Sequence, residues 1–119
     1  SVAHPLSARH GTHHGLANAL MLPDSMAFIE AANLTPAQRQ RIQTVRTLFA
    51  EVGRAGDSLA AETRAWFEEL GIEFGLKNHN IPADDLGNLA DEAFLDPCHT
   101  TNLIPVTRDD LAAVYEKAF

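Results

Sequence analysis

The four residues Thr35-Pro36-Ala37-Gln38 constrain this chain more than any other stretch. A threonine with glutamine three residues on forms a capping box, and proline at the first helical position costs no hydrogen bond there. Behind this start, Ile42, Val45, Leu48, Phe49 and Val52 recur at helical spacing, with Arg39, Arg41, Arg46 and Glu51 on the opposite side. An apolar period near 3.6 of this kind predicts an amphipathic helix with its apolar stripe turned inward. The same period runs along most of the chain, and no segment alternates with period two. The predicted class is therefore all-α, one helical domain over residues 1–119, since 119 residues make one domain and no more.

The other helices follow from similar signals. Gly15 to Ala32 is apolar and helix-forming, with Pro23 expected to kink or split it. Gly53 to Gly56 breaks the chain, and Asp57 or Ser58 can cap a helix whose stripe is Leu59, Thr63, Trp66, Phe67 and Leu70. Gly71 closes it, and a polar loop runs from Glu73 to Ile81. Pro82 opens a helix with Leu86, Leu89, Ala90, Ala93 and Phe94 inward. A loop from Pro97 to Pro105 carries Cys98, His99 and Asn102. Thr107 then caps a last helix that buries Leu111, Val114, Tyr115 and Ala118.

Charge and cysteine content narrow the functions. Nine Lys and Arg against 16 Asp and Glu give a formal charge of −7, which repels nucleic acid and anionic membrane surfaces. No apolar run is long enough to span a bilayer. The single cysteine, Cys98, fits a reducing compartment, so no signal peptide and a cytoplasmic location are expected. Asp84, Asp85, Asp91 and Glu92 read as a solvated helical face, and His79 and His99 as surface residues.

The chemistry concentrates at the N-terminus, where His4, His10, His13 and His14 fall within 14 residues. Neutral imidazole suits several transition metals. His10 and His14 would share a face at i, i+4, although Gly11 and Gly15 argue for a segment that is partly loop. The alternative is a polar segment whose histidines only make hydrogen bonds, because no Asp or Glu lies among the first 23 residues. His14 directly precedes a glycine that opens an apolar helix. A ring there is held on a rigid element, and the helix N-terminus disfavours its protonation, which helps a metal compete.

His4-Pro5-Leu6, ten residues before His14-Gly15, then Ala17-Asn18-Ala19 and Leu22-Pro23, resembles the C-terminal domain of the iron-containing (group III) alcohol dehydrogenases. Leu95-Asp96-Pro97-Cys98, Asn102, Pro105-Val106-Thr107 and Asp110-Leu111 to Tyr115 are similar to that family's C-terminal signature. The resemblance implies an all-helical domain that meets an N-terminal nucleotide-binding domain across a cleft. The cleft would hold a divalent metal (iron, or else zinc), NAD or NADP, and a small alcohol or aldehyde. It further implies that His14 is a metal ligand, that His4 lies near the reacting groups and moves or orients a proton, and that Cys98 lines the substrate pocket. His10 and His13 match no ligand position. One family ligand would fall immediately before Ser1 and two others further upstream, so the chain carries one ligand and lacks the cofactor domain. The isolated 119 residues are accordingly expected to be inactive as a dehydrogenase. Leu103-Ile104 departs from the family's usual Pro-Arg. A free-standing helical module that self-associates through an uncovered apolar face, as a homo-oligomer without catalysis, is the alternative.

Overall fold

The computed structural model describes all 119 residues, Ser1–Phe119. Six α-helices follow one another without a strand: α1 (Ala3–His10), α2 (His14–Ala31), α3 (Pro36–Glu51), α4 (Leu59–Glu69), α5 (Leu86–Leu95) and α6 (Arg108–Ala118). Short 3₁₀ turns at Leu76–His79, Ala83–Asp85 and Pro97–Thr101 occupy stretches expected to be loop or the start of α5. The all-α class is as the sequence indicates. The shortest dimension is 18 Å, which accommodates two helix layers with axes about 8–10 Å apart.

The core lies where α1, α2, α5 and α6 meet. Leu6, Ala17, Leu89 and Tyr115 are fully excluded from solvent there, and the hydroxyl of Tyr115 donates to the Val2 carbonyl at 2.6 Å. Burial raises the Tyr115 pKa, so its O–H stays intact as a donor at every working pH.

Helix α1 departs from the reading of the first 14 residues as polar and partly loop. Gly11 does not break the segment. It terminates α1 in the left-handed conformation (φ 66°), its N–H returning to the carbonyls of Leu6 and Ser7. Ala3, Pro5 and Leu6 then face the core, small enough on either side of Leu6 for a close approach.

Pro23 is buried inside α2 and does not split it. Packing of both halves of α2 against α1, α4 and α6 outweighs the one hydrogen bond proline removes. The next residue, Asp24, is 4% exposed and accepts from Arg64 Nη2 at 2.9 Å, tying α2 to α4. Arg64 in turn lies over the Phe74 ring, 4.3 Å from its centroid. Ser58, not Asp57, caps α4, accepting from the Ala61 N–H. The Glu30 carboxylate of α2 accepts the N–H groups of Leu59 and Ala60, both at 2.9 Å, and so satisfies two more orphan donors of that helix end.

The capping box of α3 forms as its sequence indicates, with Thr35 and Gln38 reciprocally bonded. Its apolar stripe, however, does not face the core. No residue of α3 is buried, and Leu48 and Val52 are 56% and 70% exposed. Trp66 and Leu70 on α4 are exposed as well, contrary to their place in a predicted core stripe. The α3–α4 hairpin projects beyond the four-helix core. It is held by Phe49 edge-on to Trp66 at 5.8 Å and by Arg46 bonded to the buried Glu62 at 3.1 Å. Phe94 is likewise outside the core, stacked on His99 with centroids 5.0 Å apart, so His99 is not a free surface histidine. His79 also has a partner, bonding the Glu73 carbonyl.

Candidate functional site

Helix α1 carries three of the candidate polar side chains and aims them at both ends of α5. At one end, His4 Nδ1 lies 3.2 Å from Asp96 Oδ2, while the Cys98 N–H donates to Asp96 Oδ1 at 2.8 Å. Asp96 follows directly on α5 and opens the Pro97–Thr101 turn, so one carboxylate joins His4 and Cys98 from segments more than 90 residues apart. The backbone N–H of Cys98, then its thiol, hold the Asp96 carboxyl down to about 2. The same contact acts in reverse on Cys98. The Asp96 charge beside it pushes the thiol pKa up, so this exposed cysteine stays a thiol and is no nucleophile at neutral pH. A groove of about 330 Å³, lined by His4, Pro5, Ala8, Leu95 and Asp96 among others, runs past this pair. Cys98 is not among its lining residues.

At the other end, Arg9 grips Asp85 with two parallel bonds of 2.9 and 2.6 Å and reaches Glu92 at 2.7 Å. His10 Nε2 sits 2.6 Å from the same Asp85, and Asn88 adds a bond of 2.7 Å. Asp85 is therefore buried (8% exposed) and not part of a solvated face, whereas Asp84 and Asp91 are exposed. The His10–His14 pairing does not occur. His10 ends α1 and is committed to Asp85, while His14 begins α2 beyond the Gly11 turn.

Arg9 foremost, then Asn88, holds the Asp85 carboxyl well below the usual carboxylate range. A pKa depressed by folding contributes stability that is full above the unfolded value and is lost as pH falls toward the folded one. With an unfolded carboxyl near 3.9, the contribution of Asp85 is complete above about pH 5 and declines below about pH 4. Asp85→Asn is expected to cost about 2 kcal/mol at pH 7, and urea unfolding between about pH 7 and pH 2 should show the gap to wild type closing. A gap that does not change with pH would mean that Asp85 is held by packing rather than by charge.

His13 and His14 stand at the start of α2, with His13 the N-cap and both rings exposed. His13 makes no capping bond, and its ring folds over Gly15, where an added Cβ would lie 3.5 Å from Nδ1. His14 makes no hydrogen bond within the chain and presents its imidazole outward. No group of three or more His, Cys, Asp or Glu comes together to hold a metal ion. The acids that reach the histidines are already taken: Asp85 by Arg9, Asp96 by the Cys98 N–H. The donor set thus fits one corner of a metal site, a single neutral imidazole, where about three protein ligands are the usual complement of a catalytic centre.

Asp85 and Asp96 are the polar residues the sequence conceals. Neither lies near a histidine along the chain, and only a docked α1 brings them together.

Fold and site define a class: an all-helical domain carrying an uncommitted imidazole at a helix start and an incomplete ligand set. The chain belongs to the Fe-containing alcohol dehydrogenase family, whose C-terminal part matches residues 1–119. It is similar to lactaldehyde reductase of Escherichia coli strain K12, with 30% identity over 121 residues, covering 99% of this chain and 31% of that protein. It is also similar to alcohol dehydrogenase 4 of Saccharomyces cerevisiae strain S288c, with 25% identity over 120 residues, covering all of this chain and 30% of that protein. The chain spans less than a third of the length of either relative.

Proposed function

We propose that this chain is the metal-site domain of a metal-dependent, NAD(P)-linked alcohol dehydrogenase, and that the longer protein interconverts a small alcohol and its aldehyde or ketone by hydride transfer. The observation that carries the reading is the family match over the whole chain, with His14-Gly15 standing exposed at the first turn of α2 where the family's ligand motif falls. In this reading His14 supplies one ligand. No residue of the chain occupies its ring, and the N-terminal end of α2 disfavours the imidazolium, so the lone pair stays available. The remaining ligands, and the NAD or NADP site, belong to a nucleotide-binding domain outside these 119 residues.

When bound, a divalent metal such as iron or zinc supplies Lewis acidity at the alcohol oxygen. His4, anchored at Nδ1 and 71% exposed at the side chain, exchanges the hydroxyl proton. Cys98, held as a thiol by Asp96, borders the substrate without attacking it. Asp96, Leu95 and Pro5 present a mixed polar and apolar groove suited to a short alcohol.

The test compares two preparations. The full-length protein should oxidise small alcohols with NAD or NADP and lose that activity on chelation, regaining it with iron or zinc. The 119-residue chain alone should show none. Full activity after complete metal removal, or turnover by the isolated chain, would overturn the reading. A second reading, a helical module that self-associates, draws on the exposed stripe Leu48, Val52 and Leu70.

A further inference from the structure

We infer that Asp96 is a positioning residue that fixes His4 in its Nδ1–H tautomer, leaving the Nε2 lone pair as the proton acceptor of the reaction. The inference rests on the proposed dehydrogenase function and adds to it the residue that sets the polarity of the proton-transfer group.

The argument starts from what an ionised carboxylate can do, which is accept and never donate. Asp96 is ionised across the working range, because the Cys98 backbone and thiol stabilise its charge. Its Oδ2 lies 3.2 Å from His4 Nδ1, so that nitrogen must carry the hydrogen. Free histidine prefers the hydrogen on Nε2, so the carboxylate inverts the intrinsic choice.

The carboxylate cannot turn away to release the ring. Its other oxygen holds the Cys98 N–H at 2.8 Å, and its own N–H closes α5 by bonding the Glu92 carbonyl at 3.1 Å. The Asp96 side chain is 12% exposed and that of His4 is 71% exposed, so the anchored end is sheltered and the free end is open. The one other charged side chain beside them in the groove, Glu92, is engaged by Arg9 at 2.7 Å and does not compete for the imidazole.

The resulting step balances. The carbinol C–H bond breaks and delivers hydride to the oxidised nicotinamide, which is reduced, while the alcohol becomes a carbonyl. The hydroxyl proton goes to Nε2 of His4, giving an imidazolium whose Nδ1–H remains paired with the Asp96 carboxylate. In the opposite tautomer Nε2 already carries a hydrogen and cannot accept the proton.

Asp96→Asn tests this, since asparagine keeps the shape and an acceptor oxygen for the Cys98 N–H while turning an NH₂ toward Nδ1. Ring ¹⁵N shifts of His4 in this chain, at about pH 9 where histidine side chains are neutral, should show Nδ1–H in the wild type and Nε2–H in the variant. A wild type with Nε2–H, or a variant with unchanged shifts, overturns the inference whatever the activity. In the full-length metal-loaded protein, Asp96→Asn should lower kcat by about 10–100-fold with KM within about twofold, and Asp96→Glu should recover part of the loss. An unchanged kcat also overturns it. If the tautomer switches but the wild type itself oxidises no alcohol, the positioning role stands and the dehydrogenase reading fails.

Discussion

His14→Ala in the full-length protein is expected to abolish metal binding and to lower kcat/KM by more than about 100-fold, since a Lewis-acid metal contributes several kcal/mol at the transition state. The experiment is informative because the substitution should leave the fold alone. His14 is exposed at the first turn of α2 and makes no hydrogen bond within the chain, so its removal falls among surface changes worth less than about 0.5 kcal/mol. Loss of metal with an unchanged melting curve would assign the role to the imidazole itself. His13→Ala is the matched control, being exposed on the same helix start but folded over Gly15. Metal content should survive that change. Retained metal and activity in His14→Ala would end the ligand assignment.

The second large effect concerns a residue in a segment whose composition conceals it. Leu6→Ala should cost about 3 kcal/mol in urea unfolding, within the 2–5 kcal/mol that emptying a buried leucine site entails. Leu6 is fully excluded from solvent between α2 and α5, and α1 reaches the core through it. Leu48→Ala should cost less than about 0.5 kcal/mol, because Leu48 is 56% exposed. The contrast inverts what residue type and spacing indicate. Leu48 lies on a well-formed amphipathic stripe, while Leu6 sits in a stretch dominated by histidine, glycine and small residues. Similar losses at both positions would show that the α3 stripe is covered in solution and would favour self-association.

What was legible in the sequence is what short-range chemistry decides. Thr35 and Gln38, and Thr107 and Asp110, are three residues apart and form their capping boxes as written. The stripe of α6 is buried as its spacing indicates, with Leu111, Val114, Tyr115 and Ala118 inward. His14 could be singled out because its position before Gly15 is local too, and its exposed place on α2 agrees with that reasoning. Gly11 was the available signal for α1: a glycine just after Arg9 and His10 is a helix stop as readily as a loop marker.

The site's acidic partners were not legible, since nothing local ties them to the histidines. His4 and Asp96 are 92 residues apart, and His10 and Asp85 are 75 apart. Spacing likewise says which face of α3 is apolar but not whether anything covers it. The sequence by itself determined the helices, their caps and the family's histidine motif, because those depend on groups within a turn or two of each other. The tertiary structure alone decided that α1 is a core helix, that α3 is not, and that Asp85 and Asp96 pair with Arg9, His10 and His4. Those outcomes depend on which surfaces dock, and docking is settled by the summed burial of distant apolar faces rather than by any local rule.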